Sequence, residues 1–585
     1  MNIFFAPKNW IKNNLLNIGI GSVLAAIALV HIFFLVSSFW IDEKGNILTT
    51  FAGNGDVALR MTQISKFAFG NIFNLEEPIF IGEPLTYHFL LNFFSGILLR
   101  LTNSWMFAFQ APILILALAN IALLFLVYQK IFKGKVLALF GVLIFLFGSG
   151  FGAYGTLKDK FLQEGMDIPQ FFSYMAVNHV SFITQLANQY PEQNIAWGSP
   201  FGLVFLHQHP FLLGLFLFLV ILLILLKTEG LLKKRHIALL GILFGIAPLS
   251  HIHSFIAIGT MLVFFAVSAL LKKDFTRFKN YAAVLLIGGA TALPQLAYLA
   301  HFFNGAFESS VQSFLRFRLG WMTDPAYGSV VYPPLPTAFS KLIAYLNYTW
   351  MNFGVILPAF FIFSIYLFKR GKQSLPILTF AAAAFALFFL VQTIQFQPWD
   401  YDNNKILVYF QFFAVIPIIF LFGRIASTWK ALGWGLLIVF LILSTHGAVL
   451  DLIPRIIQIR NNPPVLFTAN AWEAAKFIKQ NVPDKAVILT GPSHINPVAS
   501  LAGKPVLVGY PGWLWTRGIP YQKRLDDTRA FYQNPYQRKD VLEKYNISYI
   551  LLDPLVKYDW GVQKQLFDSN FKLIYENTDY ALYAI

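Results

Sequence analysis

The sequence predicts a polytopic α-helical membrane protein of about eleven spans. Interfacial helices are expected in its first outer loop, and an extracytoplasmic α/β domain at its C-terminus. Three observations predict it. The chain of 585 residues is 57% hydrophobic and 12% charged, with 63 Phe, a composition far from that of a soluble domain. Its apolar runs approach the roughly 20 helical residues that cross a bilayer. Its excess of Lys and Arg falls in alternate loops, as the positive-inside bias expects. Cysteine is absent, which removes disulfides, Cys-ligated zinc and thiolate catalysis.

Lys8 and Lys12 precede the first apolar run, 18–40, which lacks a small-residue cleavage site and reads as a retained anchor. Further spans are expected at 106–128, 136–154, 201–226, 237–253, 255–271, 281–303, 341–368, 375–396, 406–423 and 431–450. The segment 87–101 is short and has a polar stripe of His88, Asn92 and Ser95. Reading it as an amphipathic helix in the outer interface keeps Lys130, Lys133 and Lys135 inside. The N-terminus is then cytoplasmic and the C-terminus extracytoplasmic, in a multi-pass protein of the cell membrane. On this topology the inside loops hold 18 Lys and Arg against Glu229 and Asp274, which is the whole net charge of +16. No nucleic-acid partner is needed to explain the basic balance.

Four outer pieces remain: 41–105, 155–200, 304–340 and the region from 451 to 585. The last has ordinary charge density, a helical stretch ANAWEAAKFIKQ, and β-rich runs AVILT, PVLVGY, ISYILL, FKLIYE and YALYAI. Strands alternating with helices predict a small α/β domain, separate from a membrane module over 1–450.

The first outer loop opens with GNGDVALRMTQISKFAFG, residues 53–70. Asp56, Arg60, Gln63 and Lys66 recur at helical spacing on one face, with Val57, Met61, Ile64 and Ala68 in the opposite phase. Asp56 near a helix N-terminus could simply complement that terminus. It could also serve as a general base toward a hydroxyl or amine, with Arg60 one turn away to bind an anionic membrane lipid headgroup.

This order of span, loop acid, amphipathic helix, Pro-containing stretch and second interfacial helix resembles the first outer loop of GT-C superfamily integral-membrane glycosyltransferases. Residues 56–150, with GDVALRMTQISKFAFGN and IFIGEPLTYHFLLNFFSGIL, look most like the branch of polyprenyl-phosphate-dependent aminoarabinose and mannosyl transferases. The resemblance implies a GT-C-like membrane module that transfers a sugar from a polyprenyl-phosphate donor to a glycan, lipid or protein acceptor. Carried onto this chain, the catalytic loop acid is Asp56 and its basic neighbour is Arg60. Two departures stand out: Val57 follows Asp56 where many relatives have a second acid, and Glu83 precedes Pro84 where a lysine is often found.

Other polar groups are candidates for the same cavity. QPWDYDNNK, 397–405, lies between two spans. Its Asp400 and Asp402 could bind a divalent cation, Mg or Mn, or form a solvated turn beside Trp399. Lys405 enters a span at that level, where a charge is costly unless it is paired or faces a cavity. Arg316 and Arg318 could clasp the donor phosphate together with Arg60, Lys66 and Lys405, or reach ordinary headgroups. His88, His251, His253 and Trp399 are candidate substrate contacts, as are His494 and Trp513 in the C-terminal region, where aromatic faces suit sugar rings. The His-x-His pairs, His207 with His209 and His251 with His253, point about 200° apart on a helix and form no zinc motif.

Glycosyl transfer competes with two other readings. A transporter or flippase of lipid-linked sugars would need polar groups near mid-span, and Asn120, His31 and Gln392 are the few there. A noncatalytic GT-C-like scaffold would accord with the missing second acid.

Overall fold

The computed structural model describes residues 8–49, 54–152, 164–177, 199–300, 316–317, 338–396, 400–460 and 464–585. Eight helices among them are long and apolar enough to cross a membrane: Asn14–Val36, Trp105–Phe132, His209–Lys227, Ile252–Leu271, Phe275–Leu299, Leu375–Thr393, Asn404–Thr428 and Lys430–Ile453. A bent pair, Tyr345–Phe353 and Ile356–Lys369, makes a ninth if it is counted as one span. The chain is a multi-pass membrane protein.

Three of the eleven expected spans are not continuous helices of spanning length: 341–368 is the bent pair, and 136–154 and 237–253 fall short. The run 136–154 forms the helix Lys135–Phe147. It stops where Ser149 N donates to Ser444 O at 2.8 Å and where a Cβ on Gly150 would lie 2.1 Å from Met351 O. Close backbone crossings, and not hydropathy, end that helix. The run 237–253 breaks into Lys234–Gly245 and a single turn, Ala247–Ser250, before His251 becomes extended at φ −170°. Pro248 lies in that turn, and no backbone N–H is available from it.

The loop after α1 (Lys8–Val36) folds back as β1 (Phe39–Ile41) and β2 (Ile47–Thr49), then enters α2 (Asn54–Phe69). Asp56 lies in the first turn of α2 and Lys66 in its last, charges that complement the helix dipole. The second interfacial helix is α3, Leu90–Thr102. At 13 residues it is about 20 Å long, too short to span. It packs tightly on α2, since a Cβ on Gly96 would come 2.6 Å from Phe67 Cβ and 2.9 Å from Ile64 O.

The amphipathic pattern of α2 and α3 predicted exposed polar faces at the membrane surface. Both are enclosed instead. Arg60, Gln63 and Lys66 are buried, and so are Val57, Met61, Ile64 and Ala68 on the opposite phase. The stripe of α3 turns inward as well, with His88, Asn92 and Ser95 all buried. One cause is the C-terminal segment, which roofs α2. Ser65 Oγ donates to Ser500 O at 2.7 Å, and the Thr62 and Ser500 hydroxyls lie 2.8 Å apart.

That segment is stitched to the first loop by backbone. β5 (Val465–Phe467) extends the β1–β2 pair into a three-stranded antiparallel sheet. Val506 N donates to Pro78 O at 3.0 Å and Gly509 N to Ile79 O at 2.7 Å. Beyond β5 come the helix Ala469–Asn481 and four strands, β6 (Val487–Leu489), β7 (Ile547–Leu552), β8 (Lys572–Glu576) and β9 (Ala581–Ala584). They form a sheet in the order β6-β7-β9-β8, with β6 parallel to β7 and the other pairs antiparallel. PVLVGY contributes only an isolated bridge from Val506 to Ile488. The helix expected to end near 450 continues to Arg460.

Candidate active site

Asp56 lies at the start of α2 and retains some open surface while the residues after it are buried. Its carboxylate accepts a hydrogen bond from Gln208 Nε2 at 2.9 Å. Burial pushes its pKa up; Lys405 draws it down, Asp402 pushes it up, and the Gln208 bond and Arg60 draw it down. These groups therefore share one electrostatic environment. Lys405, at the start of the helix Asn404–Thr428, pairs with Asp402 at 2.9 Å.

Arg60 is one turn beyond Asp56 and 4% exposed. Its guanidinium is engaged by other groups. Nε donates to Asn92 Oδ1 at 3.3 Å, Nη1 donates to His209 Nδ1, and the group lies 4.3 Å from the centre of the Phe109 ring. Asn92 in turn donates to Gln63 Oε1 at 2.6 Å. Arg60 has no carboxylate partner among the described residues, and its Nη2 has no hydrogen-bond acceptor there. Burial lowers its pKa to about 9, partly opposed by Asp56 and then Tyr87, so it stays cationic at neutral pH.

Histidines form the inner wall. His88 stacks on Tyr87 at 3.9 Å, meets His251 edge-on at 5.4 Å, and His251 lies 5.0 Å from His253. Burial, then Lys405 and Arg517, hold His88 down to about 3, so its ring is neutral at physiological pH. His88 Nε2, His251 Nε2 and both nitrogens of His253 are buried without a hydrogen-bond partner among the described residues. Such groups are uncommon in folded proteins, and here they gather beside Lys405. Tyr87, pushed up by burial and then by Asp56 and Asp402, joins the same network.

The C-terminal segment closes the other side. Trp513 packs on the N-terminus of α2: a Cβ on Gly55 would lie 3.8 Å from Trp513 Nε1. Tyr510 meets Trp513 at 5.4 Å and His494 meets Tyr510 at 5.4 Å, so His494 stands two rings away from Asp56. Arg517 bonds the buried Glu77 and lies 5.2 Å from the centre of the Tyr87 ring.

The structure thus gathers Asp56, Arg60, Lys405, Asp402, His88, His251 and His253, with Trp513 at the edge. Lys66 lies elsewhere, near Glu77 and Glu76, about 15 Å along α2 from Asp56. Arg316 is exposed on the strand Arg316–Phe317, which pairs with Ile394–Gln395 ahead of the Asp402 turn. Arg318, Trp399 and the Asp400 side chain lie outside the described residues. Among the described residues no group of three or more His, Asp or Glu could hold a metal ion.

No family model matches the sequence, and no curated protein does. Solved structures similar to it include the oligosaccharyltransferase of Archaeoglobus fulgidus tethered to an acceptor peptide. It shares 12% identity at a TM-score of 0.48, over 97% of this chain and 74% of that one. The archaeal oligosaccharyltransferase AglB of Archaeoglobus fulgidus, in complex with an inhibitory peptide and a dolichol-phosphate, shares 13% at 0.48 with the same coverage. ArnT of Cupriavidus metallidurans bound to undecaprenyl phosphate shares 12% at 0.48, over 99% and 98% of the two chains. These structural neighbours fall in the GT-C superfamily.

Several of those residues escaped the sequence reading. Gln208, Tyr87 and Arg517 each adjoin a candidate group, yet each comes from a segment separated in sequence from Asp56. One signal was present: HQHP, 207–210, sets three polar residues before a helix-starting proline.

Proposed function

We propose that the protein transfers a sugar from a polyprenyl-phosphate donor to an acceptor at the extracytoplasmic face, with Asp56 as general base. The observation that carries this reading is the pairing of a carboxylate with a buried, anion-poor cation. Arg60 is enclosed, has no carboxylate partner among the described residues and keeps Nη2 unpartnered. Leaving a buried charge uncompensated is costly, and a phosphate would supply the missing anion with geometry suited to guanidinium. Lys405 adds a second cation near Asp56.

The step follows from that arrangement. Asp56 takes the proton of the acceptor O–H or N–H as its heteroatom attacks the anomeric carbon. The bond from that carbon to the phosphate oxygen breaks, and its electron pair leaves on the phosphate, where Arg60 and Lys405 stabilise the charge. A single displacement inverts the anomeric centre. The raised pKa of Asp56 suits a base, because its carboxylate holds a proton more firmly than an exposed one. A divalent cation, Mg or Mn, would use Asp402 among the described residues in place of its Lys405 partner, and assays with and without chelator test it.

The deciding experiment uses purified full-length protein and polyprenyl-phosphate-linked sugars. Asp56→Asn should fold normally and lower sugar transfer by about 10²–10⁴-fold. Undiminished transfer by the Asn variant would remove Asp56 from this role.

A further inference from the structure

The polar triplet His207, Gln208 and His209 sits between a π-helical turn, Phe201–His207, and the helix His209–Lys227. Gln208 links the two, at φ −94° and ψ 64°. Its main chain is held on both sides, with Gln208 N donating to Leu203 O at 2.9 Å and Phe211 N donating to Gln208 O at 2.8 Å. The three side chains then diverge to three charged residues. His207 Nε2 accepts from Arg455 Nη1 at 2.7 Å, and Arg455 is itself fixed by Asp451 at 2.8 Å. His209 Nδ1 accepts from Arg60. Gln208 Nε2 donates to Asp56 Oδ2 at 2.9 Å.

Two anchored neighbours leave the Gln208 amide little freedom, so its N–H fixes the direction of the Asp56 carboxylate. The chemistry of the partner matters too. An Arg⁺ paired with a carboxylate lowers its pKa by about 1–3 and weakens it as a base. Arg60 is near enough along α2 to do that, yet His209, Asn92 and Phe109 occupy it. A neutral amide orients the carboxylate without taking so much of its basicity.

We infer that Gln208 is the positioning residue for the Asp56 carboxylate, orienting it toward the acceptor. The role in transfer rests on the function proposed above; the contact itself does not. The charged and titratable groups around Asp56 are Lys405 and Asp402 from the turn and helix facing it, Tyr87 from the loop before α3, and Arg60 on its own helix. Gln208→Leu leaves all four in place and removes one donor to the charged form. The Asp56 titration should therefore move to higher pH.

Two measurements separate the contact from the reaction. Infrared titration of the full-length protein in nanodiscs follows the Asp56 carboxyl band, assigned by its loss in Asp56→Asn. The midpoint should be higher in Gln208→Leu than in the wild type; coincident midpoints would overturn the inference even if wild-type transfer is robust. In the transfer assay with a polyprenyl-phosphate-linked hexose, Gln208→Leu should lower kcat by about ten- to a hundredfold. KM for the donor should change little, and the acidic limb of the pH profile should move up with the infrared midpoint. A midpoint shift in a protein that transfers no sugar would uphold the contact and refute the glycosyltransferase reading. Should Gln208→Leu fail to fold, Gln208→Asn keeps the amide but draws it back by a methylene, and the same shift is expected.

Discussion

Arg517→Met should unseat the C-terminal segment from the first loop. Arg517 is 4% exposed and its partner Glu77 is 0% exposed. The variant leaves the Glu77 carboxylate dry and without its cation, and breaking a buried pair from one side costs about 3–5 kcal/mol. Glu77 Oε1 and Arg517 Nη2 already have no partner among the described residues, so the pair recovers its desolvation incompletely. Replacing both, Glu77→Met with Arg517→Met, should therefore lie within about 1 kcal/mol of the wild type, apart from the Tyr87 contact. With Glu77→Met costing a similar amount, the double-mutant cycle should give a coupling of about 5 kcal/mol or more. Denaturant unfolding monitored by tryptophan fluorescence measures it, and hydrogen exchange over 78–87 and 505–517 localises it. A single variant as stable as the double would refute the reasoning.

Gly96→Ala should force α2 and α3 apart, because its new methyl would sit 2.6 Å from Phe67 Cβ. An overpacking cost of about 1–3 kcal/mol is expected in thermal or denaturant unfolding; unchanged stability would mean the contact yields freely. Asp553 accepts from Gly491 N at 2.8 Å and Val556 N at 3.0 Å, yet burial raises its pKa from 3.8 to about 6. Its folded value exceeds its unfolded one, so the charged form opposes folding. That cost is absent below about pH 4 and complete above about pH 6, where it reaches on the order of 3 kcal/mol. Asp553→Asn should remove this slope, gaining on the wild type as pH rises from about 4 to 7. Parallel stability curves would contradict it.

Helix α2 shows how far the sequence was legible. Its 3.6-residue spacing and charged ends announced a helix, and Asp56 stood out as the acid of the loop. The same pattern predicted a wet polar face, and this was wrong because two-sided burial has no local signature. Gln63 Oε1 accepts from Asn92, and Arg60 donates to Asn92 and His209, partners that only folding brings within reach. Helix length departs from hydropathy for a related reason: the helix Lys135–Phe147 ends at a backbone crossing near Ser444, which hydropathy does not register.

Composition and charge placement alone determined that this chain lies in a membrane, because apolar helices and stranded charges are set by solvent, residue by residue. The C-terminal strands ISYILL, FKLIYE and YALYAI were likewise visible, since β-branched and aromatic runs carry their own preference. Only the tertiary structure decided what Asp56 faces. Gln208 is 152 positions away in the chain, and Trp513 and Arg517 arrive from the far end. Hydrogen bonds and ion pairs depend on ångström distances between such segments, and no periodicity in the chain records those distances.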